Sequence, residues 1–181
     1  MLQFRKAAAA AVPVALASLL VGCSGETKAL PELPDRLCWD VFAAKSVAPL
    51  LPTGDEAALR SRPFVLARNL DMPSCTLDVD GRPSFQATAI RRSYERWINW
   101  KSLVGPNPDS VGVGEKGLVW DNGAASYIVC QPSKDLSTPG SYVELRLTTF
   151  RSESDAQEVR SVLPTLLKEF AAFAQRELKC A

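Results

Sequence analysis

The chain has 181 residues, of which 46% are hydrophobic, and its formal net charge is +1. A charge this close to zero provides no overall electrostatic attraction to nucleic acid, so we expect no nucleic-acid partner. The chain contains no histidine, which excludes Ser-His-Asp and Cys-His catalysis and disfavours a zinc site. We therefore expect neither a metal nor a cofactor.

The N-terminal segment has the three parts of a secretion signal. Two basic residues, Arg5 and Lys6, precede an uncharged apolar run over residues 7–20. This run has the length of a signal-peptide core and is shorter than the ~20 residues that span a bilayer as a helix. We assign residues 1–22 to a signal peptide.

The next residues, Leu20-Val21-Gly22-Cys23, resemble the lipobox of bacterial lipoproteins. The resemblance implies that Cys23 receives a diacylglyceryl group and that the chain is cut before it. The alternative is an ordinary secretory signal followed by a chance cysteine. Two acyl chains on one residue are sufficient for stable anchoring. We expect the protein on the extracytoplasmic face of the cell membrane, with the membrane as a partner through this lipid.

The sequence after Cys23 predicts a tether and then a single domain. Residues 23–36 comprise the lipidated cysteine and a polar tether that contains Pro31 and Pro34. Residues 37–181 have the length of one domain. Its first predicted element is a helix over residues 37–51, which ends at Pro52-Thr53-Gly54.

Strand patterns occupy the middle of the chain. Two predicted hairpins pair 75–79 with 85–90 through Asp80-Gly81, and 118–120 with 124–130 through Asp121-Asn122-Gly123. The clearest strand is 142–150, in which apolar and polar side chains alternate as on a half-buried sheet.

Apolar residues from Val159 to Leu178 recur at helical spacing and predict a long C-terminal helix. Ser152, with Asp155 three residues later, resembles a capping signal, and Pro164 is expected to kink or divide the helix. The predicted fold class is α+β: an antiparallel sheet of about five strands, with the N-terminal and C-terminal helices packed on one face.

Besides Cys23, the chain has four cysteines: Cys38, Cys75, Cys130 and Cys180. An even number in an exported domain indicates two disulfides. Of the three connectivities we favour Cys38–Cys75 with Cys130–Cys180, because each bridge would join a helix to a strand within its own half of the chain.

These features together resemble a family of small actinobacterial lipoproteins whose extracytoplasmic domain has no assigned function. They are the lipobox, the proline-bearing tether, Cys38 before a helix that ends at 50–54, Cys75 in a strand, and Gly112-Val113-Gly114-Glu115-Lys116-Gly117 before a strand pair. The resemblance implies an envelope location and an α+β fold, and it supplies no catalytic residues. Cys130 and Cys180 depart from the family pattern.

The glycine pattern Gly112-x-Gly114-x-x-Gly117 matches the dinucleotide-binding fingerprint by letter. That fingerprint requires a preceding strand and a following helix. A loop is expected before this pattern and a strand after it, so we interpret it as a flexible approach to the hairpin.

The most distinctive stretch is residues 91–101, in which four cations and three aromatic residues occur together. Such residues form surfaces that stack on sugar rings or contact anionic polymers and headgroups. The candidate binding patch consists of Arg91, Arg92, Tyr94, Arg96, Trp97 and Trp100. The alternative is that the tryptophans fill the core beneath the sheet while the arginines are solvated.

The leading functional hypothesis is a non-catalytic, membrane-anchored module that binds an envelope protein or a cell-wall component. A small-ligand carrier or sensor accessory is the second hypothesis, and it requires an enclosed apolar pocket. The third is a hydrolase that uses a carboxylate pair, for which the chain offers Asp78, Asp80, Asp121, Glu144 and Glu153. No spacing singles out a pair, so an enzyme is not expected.

Overall fold

The computed structural model describes residues 29–150 and 152–180. The predicted signal peptide, Cys23 and the first part of the tether lie outside these residues. The described chain forms an antiparallel sheet with a long C-terminal helix, which confirms the α+β class. In the described part of the chain, no helix combines the length and the apolar character needed to cross a membrane.

The N-terminal segment is mostly not the predicted helix. It contains a small hairpin of β1 (Arg36–Leu37) and β2 (Phe42–Ala43), then α1 (Ala44–Val47) and a 3-10 turn (Ala48–Leu50). Cys38, Trp39 and Asp40 in the hairpin turn have φ angles of 47°, 57° and 59°, which a right-handed helix cannot contain. The helix prediction is therefore wrong for residues 37–43.

Seven strands form the main sheet. They are β3 (Ala57–Ser61), β4 (Ser74–Val79), β5 (Arg82–Arg92), β6 (Asp109–Val111), β7 (Lys116–Trp120), β8 (Gly123–Gln131) and β9 (Ser141–Thr149). Their order across the sheet is β3-β4-β5-β9-β8-β7-β6, and all neighbours are antiparallel. The prediction of about five strands was too low because the two edge strands, β3 and β6, were missed.

Both predicted hairpins are present. β4 and β5 are joined by Asp80-Gly81, whose φ angles of 50° and 70° suit a turn that favours glycine at its second position. β7 and β8 are joined at residues 121–122, with Trp120 paired to Gly123. These tight turns place consecutive strands side by side and fix their register.

The C-terminal helix α3 (Ala156–Leu178) is continuous through Pro164. Its N-cap is Asp155, whose Oδ1 accepts a hydrogen bond of 2.8 Å from the backbone N–H of Glu158. The predicted cap at Ser152 is thus displaced by three residues. The face that α3 turns to the sheet is lined by buried apolar residues: Val159, Leu163, Leu166, Leu167, Phe170, Ala171, Phe173 and Ala174.

The main core lies between one face of the sheet and a layer formed by α3 and the N-terminal segment. Phe42 contacts Phe85 of β5 and Phe170 of α3 edge-on, at ring-centroid distances of 5.5 and 5.9 Å. Trp39 stacks on Phe170 and on Phe173, which holds the left-handed turn against α3. Aromatic packing of this kind therefore joins the N-terminal hairpin to both layers.

Two disulfides connect the same layers and confirm the predicted pairing. Cys38 in the hairpin turn is bonded to Cys75 in β4, and Cys130 in β8 is bonded to Cys180 just after α3. Each bridge joins a segment of the helical layer to a strand of the sheet. The first involves the N-terminal hairpin and the second the C-terminal end of α3.

The described part of the predicted tether, residues 29–36, lies against the domain. Pro31 is buried, and Leu33 packs on the main core. The carbonyl oxygen of Ala29 accepts a hydrogen bond of 3.1 Å from the N–H of Gly54. The packed domain thus includes residues before position 37.

The second face of the sheet is covered over only part of its width. A 3-10 turn (Glu95–Trp97) and α2 (Trp100–Leu103), neither of which was predicted as a helix, pack on it. They enclose a small core of buried apolar residues: Ile98, Leu103, Trp120, Ala125, Tyr127 and Tyr142. The cover lies over β7 and β8, whereas β3, β4 and β5 carry mainly polar side chains on this face.

Candidate binding surfaces

An aromatic cluster of Tyr94, Arg96, Trp97, Trp100 and Lys116 lies on the covered part of the second face. Trp97 is 43% exposed, and its ring meets that of Tyr94 edge-on at a centroid distance of 4.8 Å. The Arg96 guanidinium lies 4.4 Å from the Tyr94 centroid, and Nζ of Lys116 lies 4.5 Å from the Trp100 centroid. Cation–π contacts thus hold Arg96 on the ring that meets the exposed Trp97, and Lys116 on the half-buried Trp100.

Strand β8 holds this cluster in place from below. The hydroxyl of Tyr127 donates a hydrogen bond of 2.7 Å to Oε1 of Glu95, in the turn that carries Trp97. Burial, with a smaller contribution from this hydrogen bond, raises the pKa of Tyr127 above its usual value. Asn99 caps α2 by accepting a hydrogen bond from the N–H of Ser102.

The two tryptophans of the predicted patch have different environments. Trp97 is a surface residue, whereas Trp100 is half-buried at the margin of the small core, 6.1 Å from the Tyr127 ring. Ile98, next to Trp97 in the chain, is buried. These different environments arise where a 3-10 turn and the short α2 follow one another.

Arg91 and Arg92 do not join the cluster. Nη1 of Arg91 donates to the carbonyl oxygens of Leu66 and Ala67, at 3.0 and 2.7 Å. Arg92 donates from Nε and Nη2 to Oε2 of the buried Glu144, at 3.0 and 2.9 Å. These two arginines support the fold, and the structure brings together only Tyr94, Arg96, Trp97 and Trp100 of the predicted set.

Sequence reasoning missed Lys116, which joins the cluster from β7 although it is distant in the chain. It also missed a polar trough on the uncovered part of the second face. The trough is formed by Arg60, Arg62, Ser74, Thr76, Gln86, Thr88, Arg146, Thr148 and Phe150. The alternation of apolar and polar residues in 75–79, 85–90 and 142–148 carried the signal, since polar side chains on three paired strands must share a face.

The buried carboxylates of the described residues, Asp78 and Glu144, are both bound by arginine. Arg60 donates to both oxygens of Asp78, with 2.8 Å between Nη2 and Oδ1. This hydrogen bonding lowers the pKa of Asp78 below its usual range, against the opposing effect of burial. Both groups are suited to holding arginines in position.

Five surface crevices of the described chain have volumes of about 280 to 380 Å³, and each is lined by at least two charged residues. Within residues 29–150 and 152–180, no group of three metal-ligating side chains is present. The glycine pattern begins directly after β6 and ends inside β7, so it is preceded by a strand where a loop was expected, and no helix follows it. Gly114 has a φ of 64°, and a Cβ there would meet the carbonyl oxygen of Tyr127.

No family model, no curated protein and no solved structure matches this chain.

Proposed function

We propose that this chain is a lipid-anchored, non-catalytic binding module of the bacterial cell envelope, and that the aromatic cluster is its contact surface. The observation that carries the proposal is the exposed Trp97, held against Tyr94 with the Arg96 guanidinium alongside. Aromatic residues and arginine are enriched at binding hot spots, and here an exposed indole, a second aromatic ring and a guanidinium lie together.

The cluster is held by the fold before any partner arrives. Its turn is fixed to β8 through the Tyr127–Glu95 hydrogen bond, and the adjoining Ile98 and Leu103 are buried in the small core. A surface held in this way loses little conformational freedom on binding, so more of the contact energy becomes affinity.

An extracytoplasmic location is supported by two features. The two disulfides are typical of proteins that mature in an oxidising compartment. The Leu20-Val21-Gly22-Cys23 sequence resembles a lipobox, which would attach the domain to the outer face of the membrane.

The contacts of the charged residues favour binding over catalysis. The chain has no histidine, and the buried carboxylates Asp78 and Glu144 are both engaged by arginines. The hydrogen bonds from Arg60 lower the pKa of Asp78, which makes it a poor proton donor. The charged walls of the crevices also suit a surface that binds polar partners better than a carrier of apolar ligands.

Photo-crosslinking of the anchored, full-length protein in its own cells tests the proposal. A benzophenone amino acid replaces Trp97 in one variant and Leu59 in the control, since Leu59 has a similar exposure of 39% but lies on the far edge strand. We expect adducts from position 97 that are absent at position 59 and are reduced when Arg96→Ala is added. Digestion with protease or with glycan hydrolases then distinguishes a protein partner from a cell-wall partner. Equal adducts at both positions, or none at position 97, would overturn the proposal.

A further inference from the structure

The polar trough consists of two rows of side chains that cross the open strands. Strand pairing places Arg60 opposite Thr76, Thr76 opposite Gln86, and Gln86 opposite Thr148. A second row runs from Ser74 through Thr88 to Arg146. Because neighbouring strands are about 4.8 Å apart, the first row spans roughly 14 Å from β3 to β9.

The trough has an excess of positive charge in a chain that is nearly neutral overall. Four guanidinium groups line or border it, and the two buried carboxylates beneath them are already bound. These groups are Arg60, Arg62, Arg92 and Arg146, with Asp78 and Glu144. The Arg60 side chain remains 65% exposed although it binds Asp78, so it can accept a second anionic partner.

Arg146 has a donor that its own fold does not satisfy. Its Nη2 lies 3.5 Å from Oε1 of Glu144, while its Nε is buried and has no hydrogen-bond partner among the described residues. The Arg146 side chain as a whole is 38% exposed, so the accessible part of its guanidinium can also contact an anion in the trough.

At one end, the trough deepens into a crevice of about 310 Å³ that combines three kinds of contact. Arg60 and Arg62 supply charge, Thr76 and Gln86 supply hydroxyl and amide groups, and the half-exposed ring of Phe150 supplies an apolar surface. Charge, many small hydrogen-bonding groups and one exposed ring together match the chemistry of a sugar that carries an acidic group.

We infer that the polar trough is a binding site for an anionic saccharide, one with carboxylate or phosphate groups on its rings. An acidic peptide could use the same arginines, but pairing with a strand edge is open to it only along β3. The backbones of β4, β5 and β9 are already paired on both sides, so most of the trough offers side chains only, and the exposed ring of Phe150 favours a saccharide. This site is separate from the aromatic cluster, so it can exist whether or not the cluster is a contact surface.

The test is calorimetric titration of the full-length protein in detergent at low salt. The probe is a galacturonic acid hexamer, and maltohexaose is the neutral control of equal length. We expect binding of the acidic hexamer and no measurable binding of maltohexaose. Inorganic phosphate and hexaglutamate are titrated in parallel to separate a saccharide from a simple anion and from an acidic peptide.

Two variants localise the site. Arg62→Ala removes an exposed charge but keeps the carbonyl oxygen that accepts from Nε1 of Trp39. Thr88→Glu places a carboxylate opposite Arg146, where it competes with an anionic ligand for the guanidinium, on the face of β5 that is turned away from the main core. We expect each to weaken hexamer binding about tenfold. Arg176→Ala, on the exposed side of α3, is the matched control and should leave affinity within about twofold.

Four results would overturn the inference. The first is no binding of the acidic hexamer, and the second is binding of maltohexaose as tight as that of the acidic hexamer. The third is binding of hexaglutamate or phosphate that is as tight as that of the acidic hexamer and is weakened equally by the two variants. The fourth is a loss of affinity in Arg176→Ala as large as that in Arg62→Ala. Because none of these readouts depends on Trp97, failure here is distinguishable from failure of the proposed contact surface.

Discussion

The Tyr127 hydroxyl and the Glu95 carboxylate, 2.7 Å apart, connect a strand in the middle of the second face to the turn that presents Trp97. Tyr127 is buried, whereas Glu95 is exposed. The strand therefore provides a fixed donor, and the surface turn is positioned by it.

Tyr127→Phe removes this hydrogen bond and keeps the ring in the small core. We expect the free energy of unfolding to fall by about 1 kcal/mol, because Glu95 regains water when the bond is lost. Urea denaturation measures the change. Glu95→Gln and the double variant complete a thermodynamic cycle, and a coupling energy near zero would show that the bond contributes nothing.

The raised pKa of Tyr127 predicts a loss of stability at alkaline pH. In the unfolded chain the phenol ionises near pH ~10, whereas in the folded state it keeps its proton to higher pH. The unfolded state thus binds fewer protons above pH ~10, and the free energy of unfolding should fall by up to about 1.4 kcal/mol per pH unit. Denaturation of wild type and Tyr127→Phe between pH 8 and pH 11 isolates this effect, and parallel curves would contradict it.

Asp155→Ala removes the N-cap of α3. The N–H of Glu158 loses its acceptor, and we expect a destabilisation of about 1 kcal/mol. Asp155→Ser should retain most of the stability, because a serine hydroxyl caps the same N–H. Ser152→Ala is the control, because the sequence predicted the cap at Ser152. A larger loss of unfolding free energy in Ser152→Ala than in Asp155→Ala would show that the helix is capped at Ser152.

The two disulfides close loops whose cysteines are 37 and 50 residues apart. Since loop entropy grows slowly with length, removing either pair by double Cys→Ser substitution should cost about 4 kcal/mol. Thermal unfolding measures the loss. Peptide mapping by mass spectrometry checks the pairing, and a peptide that joins Cys38 to Cys180 would refute it.

The proposed lipid anchor predicts a covalent change at Cys23. In cells given a fatty-acid probe, the wild-type protein should be labelled and processed, whereas Cys23→Ala should be unlabelled and remain as precursor. Ser24→Ala is the neighbouring control and should be labelled normally. Labelling of Cys23→Ala at the wild-type level would exclude this anchor.

The sequence predicted the parts of the fold that depend on neighbouring residues, such as turn angles and the alternation of side chains along a strand. Asp80-Gly81 specifies a hairpin because it suits the backbone angles that the turn requires. The 142–150 segment alternates because one face of β9 packs on the main core while the other carries mainly polar side chains. Pairing of the four cysteines was also predictable, since each bridge joins neighbouring layers within one half of the chain.

The missed parts depend on contacts between distant residues. β3 has little apolar alternation because it is an exposed edge strand, so its pairing with β4 is visible only in the structure. The left-handed turn at Trp39 is held by Phe170 and Phe173, far along the chain. In the candidate site, the sequence identified both Trp97 and Trp100. It could not show that Trp97 is exposed and Trp100 half-buried, because the two residues lie in two short turns that have no regular periodicity.

The position of the Cys38–Cys75 bridge also determines how the domain responds to mechanical force. Tension applied through the N-terminal side of the domain would first load the segment from Ala29 to Cys38, which a few backbone hydrogen bonds and Leu33 hold in place. At Cys38 the load passes through a covalent bond into β4, inside the seven-stranded sheet. The α1 segment and β3, enclosed between the two cysteines, bear none of the tension, so a domain pulled at this end would release no more than the residues from Ala29 to Cys38 before the sheet itself resists.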